Sequence, residues 1–442
     1  MFTKPANWNK LSPLEKRKLR LDSWQFAPMQ FVSPEAEAKY TERIGRLRKA
    51  YDLEHPDRIV ADLSMGAGEY AARRAGLTGR DFLYNHDALV APIVEFNREF
   101  QPDTAISAFP YPGRIMDLLD FKTYIWSGQK LPDNLVIQAV EGEYMTGDEY
   151  TDFAADPTAF WLKRYLPRAY GALGGLAMLP DFPRITEIVD VLGLVIPFGL
   201  PPVQEALKKL MEAGSAAMGL MPMFGAFGPG LAGEGFPSMS SQFCKTPFDF
   251  LGDTLRGTKG ILTDLYRRPK EVMAACEAYV PVLVKTLTAT CDQSNSPVVM
   301  WPLHKGADGF MSQAAFEKYY WPTFKAVMMG FYEEGLTNYL FVEGTYDSRL
   351  ETIADMPEKS CYWHFDKTDM CKVKEVLSDK FTIGGNVSAS VMSTGTTDAL
   401  RAECDKLVDL FQDAPGYIMG FGCGFEMTTD EKIRAFRDSV LK

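Results

Sequence analysis

Seven polar residues in the C-terminal third of the sequence stand at or just after the end of a short apolar run. They are His304, Asp308, Glu343, His364, Asp366, Asn386 and Cys423. Imidazoles and carboxylates transfer protons or bind metal ions, and a thiolate is a soft metal ligand. If the apolar runs are neighbouring strands, their polar ends meet at one edge. The spacing therefore predicts a shared site.

Three of these residues could be metal ligands or acid/base groups. Glu343 ends the run YLFVE, and its structural alternative is a buried ion pair with Arg349. His364 ends the run CYWH and could be a zinc ligand or a proton shuttle. Its structural alternative is a hydrogen-bonded core histidine. Cys423 lies between glycines, which let a ligand approach the backbone; an inert buried thiol is its alternative.

The remaining candidates would contact substrate. His304, Asp308 and Asn386 would bind its polar groups, or else only hold their loops by hydrogen bonds. The glycine-rich segment MFGAFGPG, with Phe227, suits a tight loop against a flat ligand better than a phosphate cradle, because no GxxxxGK[ST] follows. Aromatic side chains that we expect around the same opening are Tyr144, Trp301, Tyr346 and Trp363.

The elements that carry these residues alternate between apolar runs and amphipathic helical patterns. We predict strands at 297–303, 339–342, 361–365, 381–385 and 417–421, with two earlier strands at 104–109 and 221–227. Such alternation indicates a parallel sheet with helices outside it. We expect a (β/α)8 TIM-type barrel. A doubly wound sheet is the alternative, although no GxGxxG follows a strand.

We expect a single domain over residues 1–442, with a helical extension at 1–100 packed outside the barrel and an insertion at 110–220 that partly covers its mouth. The net charge of −11 argues against a nucleic-acid partner. Two apolar stretches, 188–203 and 213–236, are broken by proline, glycine and charge, so they are interpreted as buried segments and loops rather than membrane spans.

The cell compartment is inferred from the cysteines and the first residues. The seven cysteines form no CxxC pair and no disulfide framework, which fits free thiols in a reducing compartment. The charged start MFTKPANWNKLSPLEKRKLR has no apolar signal region. We expect a cytoplasmic protein without a membrane partner, and the sequence allows a homodimer.

Two C-terminal segments resemble the uroporphyrinogen decarboxylase superfamily. FTIGGNVSASVMSTGTTDAL is similar to its strand, GN(V/L), polar loop and GTPEEV helix. GADGFMSQAAFEKYYWPTF is similar to its D-x-x-G-x-(L/I)-S-P-x-x-F…P block, with Gln313 where proline is usual. The arginine-rich N-terminal motif with which true decarboxylases hold porphyrin carboxylates is missing, which points to the corrinoid-dependent methyltransferase branch.

In that branch the resemblance implies zinc held by His-x-Cys and a later Cys. Cys423 matches the later cysteine, whereas Glu343 and Thr345 stand at the His and first Cys positions. With His364 as a third ligand, the implied zinc site is Glu343, His364 and Cys423. Zinc would polarise the leaving heteroatom of a small, methoxylated aromatic substrate, and Glu343, His364 and Asp308 would be catalytic.

The implied methyl acceptor is a corrinoid on a separate partner protein, because no DxHxxG cobalamin motif occurs in the sequence. Two other interpretations stay open. One is decarboxylation of a tetrapyrrole or another carboxylate, and the other is a barrel that binds ligands without catalysis.

Overall fold

The computed structural model describes residues 1–181, 187–238 and 242–441. Its strands are β1 (Val60–Ala61), β2 (Tyr124–Trp126), β3 (Ile137–Ala139), β4 (Gln242–Phe243), β5 (Val298–Leu303), β6 (Thr337–Val342), β7 (Cys361–Phe365), β8 (Thr382–Gly385) and β9 (Tyr417–Met419). In the described part of the chain, seven of them form one parallel sheet in the order β1-β9-β8-β7-β6-β5-β4, and β2 and β3 form a separate hairpin.

The sheet is that of a TIM-type barrel, and the five C-terminal strand predictions are confirmed to within a few residues. The two earlier ones are wrong. Residues 221–227 are helical: Met221–Gly225 is a short α-helix, and Ala226–Gly230 continues it as a π-helical turn. Residues 104–109 make no strand ladder. Thr104 instead bonds the Asp62 carboxylate at 2.8 Å, and the Ala105 amide donates to the Pro237 carbonyl.

The interior and exterior of the barrel are set by the two-residue repeat of its strands. Met300, Tyr339 and Tyr362 stand side by side in register and join one buried cluster with Val60 of β1. Their neighbours Trp301, Leu340 and Trp363 point the other way, into the larger cluster under the outer helices. Both faces are apolar, as expected of a parallel sheet that is covered on each side.

Helices surround the sheet, and those longer than seven residues are Pro13–Gln25, Pro34–Tyr51, Ala67–Arg74, His86–Phe100, Pro201–Met218, Gly257–Arg267, Pro269–Ser294, Trp321–Glu333, Met370–Leu377, Thr397–Phe411 and Asp430–Ser439. Shorter α-helices are Asp81–Tyr84, Gly113–Leu119, Tyr150–Ala155, Pro157–Phe160, Leu166–Ala169, Val191–Val195, Met221–Gly225, Leu231–Gly233, Pro247–Asp249, Gln313–Ala315, Leu350–Ile353 and Ala389–Thr394. Further π-helical turns are Trp161–Tyr165, Phe250–Arg256 and Phe316–Tyr320, and 3-10 turns are Trp8–Lys10, Gly171–Met178, Ile188–Asp190 and Ile196–Gly199.

The first two long helices lie across the amino ends of the strands. Leu21, Leu47 and Tyr51 pack with Val60 and Val298, which begin β1 and β5. These helices of the region 1–100 therefore close the bottom of the barrel. The region also contains β1 and the helices that follow β1, because residues 1–100 include the first turn of the barrel.

The inserted region at 110–220 has a small core of its own, formed by leucine, valine and alanine side chains around Leu119, Leu176 and Val203. The interpretation of 188–203 as a buried segment is wrong for most of its length. None of the residues in Ile188–Asp190, Val191–Val195 or Ile196–Gly199 is buried.

Length and composition single out one helix as able to cross a membrane, Pro269–Ser294. Six of its side chains, among them Val272, Cys276 and Cys291, are buried in the barrel wall between β4 and β5. The same test passes for Ile188–Gly199 together with Pro201–Gly233, which meet at a bend of 69°.

Candidate functional site

The carboxyl ends of β5 and β6 bring His304 and Glu343 together, since each residue directly follows its strand. The Nε2 atom of His304 lies 3.5 Å from Oε1 of Glu343, and its Nδ1 atom donates to Oδ2 of Asp253 at 2.6 Å. Burial opposes the imidazolium, but the hydrogen bonds to Asp253 and Glu343 outweigh it and raise the pKa of His304 to about 10. His304 is therefore a cation at neutral pH.

Asp253 is the centre of this cluster. Lys245 donates to its Oδ2 atom at 2.8 Å, and Lys305 pairs with its Oδ1 atom. Burial acts in the opposite direction, yet the hydrogen bonds and positive charges of His304 and Lys245 lower the pKa of Asp253. Three cationic side chains from the ends of β4 and β5 thus converge on one carboxylate.

Asp249 fixes the backbone on which His304 stands. Its carboxylate accepts the amide hydrogens of His304 at 3.2 Å and Lys305 at 2.9 Å, together with the Tyr320 hydroxyl at 2.6 Å. Burial and the neighbouring charge of Asp253 raise the pKa of Asp249. Such a buried, fully bonded group holds the His304 loop in one position.

The insertion reaches this cluster from one side. The amides of Tyr144 and Met145 donate to the carbonyl of Leu255, which belongs to the same π-helical turn as Asp253. Glu141 interacts electrostatically with Lys305 and Asp253. These contacts place part of residues 110–220 beside the His304 cluster.

A glycine-rich loop after β9 carries Cys423 past Asp366, at the carboxyl end of β7. A Cβ atom on Gly422 would lie 2.7 Å from the carbonyl oxygen of Asp366 and 2.8 Å from its Oδ1 atom, so only glycine fits there. Burial, with the negative charges of Asp366 and Glu343, raises the pKa of Cys423.

His364 lies inside the barrel, below this loop. It is fully buried, its Nε2 atom donates to the Phe421 carbonyl at 2.6 Å, and its Nδ1 atom accepts from the Tyr362 hydroxyl at 3.1 Å. Burial lowers the pKa of His364. The side chain is a neutral, hydrogen-bonded core histidine, the alternative to its predicted catalytic role.

The predicted zinc ligands do not converge. Among the residues that the structure describes, no group of three or more His, Cys, Asp or Glu side chains could hold a metal ion. Both ring nitrogens of His364 are engaged in hydrogen bonds within the barrel. The set Glu343, His364 and Cys423 therefore does not fit zinc.

Asp308 and Asn386 have loop-holding bonds. Asp308 accepts the hydroxyl of Ser348 at 2.6 Å and its amide at 3.2 Å, and it lies 3.4 Å from Arg349 Nε. Asn386 donates from its side chain to the Thr368 carbonyl at 3.0 Å. These contacts are those of the structural alternative given for both residues.

The predicted aromatic lining is largely turned away from the mouth. Trp363 is fully buried and packs edge-on against Phe324 of the helix Trp321–Glu333. Tyr346 is also fully buried, and its amide donates to the Thr368 hydroxyl. Phe227 is buried within the helical turn Ala226–Gly230. None of the three lies open at the strand ends, and Trp363 points outward because it alternates with His364.

Sequence reasoning missed Asp249, Asp253 and Lys245. The strand that precedes them, β4, is only two residues long and has no recognisable apolar run. One signal was present: Thr246 caps a helical turn, and Asp249 and Asp253 follow it four residues apart, on one helical face.

Comparison with known proteins agrees with this architecture. Residues 242–442 match the uroporphyrinogen decarboxylase (URO-D) family. A methyltransferase from Methanosarcina mazei has a similar structure, with a TM-score of 0.56 and 15% sequence identity over 91% of this chain and 97% of that chain. At this identity the likeness concerns the fold. A search of curated proteins finds no match.

The family match covers the strands β4 to β9, the ends of which carry the His304 cluster and the Cys423 loop. It confirms the resemblance drawn from the two C-terminal segments and supports an enzyme. Residues 242–442 thus resemble the uroporphyrinogen decarboxylase family, and the chain as a whole has the fold of a TIM-type barrel.

Proposed function

We propose that the chain is a corrinoid-linked methyltransferase that removes a methyl group from a methoxylated aromatic substrate, with His304 as the acid. The observation that carries this proposal is the position of His304 at the strand ends, bonded to Asp253 at 2.6 Å and 3.5 Å from Glu343. The side chain is about one-third exposed, so a substrate can reach its Nε2 edge.

This reaction needs a proton donor beside the methoxy oxygen of the substrate. When the methyl carbon leaves, the C–O electron pair stays on the oxygen, which becomes a phenolate. A phenol has a pKa of about 10, as tyrosine does, and the pKa of His304 is also about 10. His304, with its pKa raised above the ordinary value, carries a proton at neutral pH and can donate it from Nε2 to the phenolate. A corrinoid on a separate protein would supply the nucleophile that accepts the methyl group.

Other residues would position this acid. Asp253 holds Nδ1 and keeps the imidazole protonated, while Asp249 fixes the backbone amide of His304. Glu343 lies farther from the imidazole than Asp253 does, at 3.5 Å against 2.6 Å. The substrate oxygen would displace the Glu343 carboxylate from Nε2. The positive charge would stabilise the developing phenolate before the proton moves.

The test is an assay of methyl transfer from a methoxylated aromatic compound to reduced cobalamin, in which the change in cobalamin absorbance measures the rate. His304→Gln should lower kcat by about 100-fold or more, as expected for loss of a general acid. His86→Gln is the matched control, because His86 bonds only the Tyr111 carbonyl in the described contacts, far along the chain from the cluster. Equal activity in both variants would overturn the role of His304.

A second candidate, decarboxylation of a carboxylate substrate, is favoured by the three cations Lys245, Lys305 and His304 around one aspartate. Release of CO2 from uroporphyrinogen or a smaller carboxylate, without methyl transfer, would support it. Absence of both reactions in a folded protein would favour the third interpretation, a barrel that binds ligands without catalysis.

A further inference from the structure

The segment Ile188–Gly199 is apolar but has no buried residue. Its sequence, IVDVLGLVIPFG, contains a single charge, at Asp190. Its four most exposed side chains are Ile188, Val189, Leu192 and Ile196, at 86%, 72%, 66% and 61%. Folded proteins seldom leave so many neighbouring aliphatic side chains in water, so another phase or molecule must cover them.

The other side of the segment rests on the protein. Leu194, Pro197 and Phe198 are half-buried, and Phe198 packs against the core of the inserted region around Leu119 and Val203. The outward side is aliphatic, and the segment together with Pro201–Gly233 is apolar enough in composition for a membrane. A surface element with such an apolar outward face is typical of one that lies in the membrane interface.

We propose that Ile188–Gly199 inserts into one leaflet of a lipid bilayer and holds the enzyme at a membrane surface. The segment is too short to cross, because its length of about 18 Å is well below the hydrocarbon thickness of about 30 Å. The chain then bends by 69° into Pro201–Gly233, so it turns back rather than continuing through.

The residues on either side set the depth of insertion. Glu187 and Asp190 stand at one end, and the exposed Lys208 follows on the helix Pro201–Met218. Lysine keeps its charge at the lipid headgroups while its alkyl chain stays among the acyl chains. The exposed Met211 and Met218, at 67% and 68%, extend the apolar surface along the same helix. This proposal replaces the expectation that the protein has no membrane partner.

The test is flotation of the full-length protein with phosphatidylcholine vesicles, with and without phosphatidylglycerol. We expect binding to both, weakened about tenfold or more by each of Leu192→Glu and Ile196→Glu, because each loses the transfer of one large aliphatic side chain. Leu14→Glu, at another exposed leucine on the first long helix, is the matched control and should bind as the wild type does.

Because neither Leu192 nor Ile196 is buried, both variants should keep the circular dichroism spectrum and catalytic activity of the wild type. Failure of the wild-type protein to float with neutral vesicles would overturn the proposal. So would self-association in solution that Leu192→Glu abolishes, since the segment would then be covered by a second copy of the chain.

Discussion

His364 and Phe421 are joined by a hydrogen bond of 2.6 Å, from the imidazole Nε2 atom to the backbone carbonyl. The bond links the interior of β7 to the loop that carries Cys423. Because the carbonyl fixes the proton on Nε2, the Nδ1 atom is free to accept from Tyr362. The loop is thus held from below by a neutral histidine.

We expect His364→Phe to destabilise the protein by about 2–4 kcal/mol, because the Phe421 carbonyl and the Tyr362 hydroxyl would be left buried without a partner. Urea unfolding measures the change. The lowered pKa of His364 means that the unfolded chain binds more protons below about pH 6.5, the reference value of histidine. Wild-type stability should therefore fall as the pH is lowered through this range, and the variant should lose that component. A difference that is independent of pH would contradict the neutral state of His364.

Gly422→Ala should cost about 1–3 kcal/mol, since the added Cβ cannot avoid the backbone oxygen of Asp366. Gly424→Ala is the matched control in the same loop, because no atom lies within 4 Å of the position of its added Cβ. Thermal unfolding of the two variants checks the prediction. Equal midpoints would show that the loop does not pass against Asp366 as described.

His304 should give the opposite dependence of stability on pH. Its folded pKa of about 10 is above its unfolded value, so the stabilisation is complete below about pH 6.5 and is lost as the pH rises toward 10. We expect the free energy of unfolding to fall by on the order of 1–2 kcal/mol, after allowance for solvent screening of the partly exposed imidazole. Guanidinium unfolding of wild type and His304→Gln between pH 6 and 10 measures it. Parallel curves would mean that Asp253 does not hold a charged imidazole.

Metal content tests the ligand set implied by the family resemblance. Because both ring nitrogens of His364 are engaged in hydrogen bonds, we expect no zinc that depends on these residues. Elemental analysis after dialysis against a chelator should give the same result for wild type, Glu343→Ala and Cys423→Ala. About one zinc per chain, lost in both variants, would restore the predicted site.

The sequence by itself determined the alternating elements of the C-terminal part and the polar residues that end them. Short apolar runs between helical patterns have few other arrangements, and the motifs in two C-terminal segments were sufficient to indicate the superfamily. The sequence also predicted that His304 and Glu343 would share an edge, because parallel strands end on the same side.

Only the tertiary structure decided which way each side chain points and which partners it meets. β7 is buried on both faces, so CYWHF has no polar alternation to reveal that His364 faces inward and Trp363 outward. The bond between Asp253 and His304 joins residues 51 positions apart, across a strand of two residues that leaves no pattern. The charge of His304 follows from this contact, because a pKa depends on neighbours in space rather than in sequence.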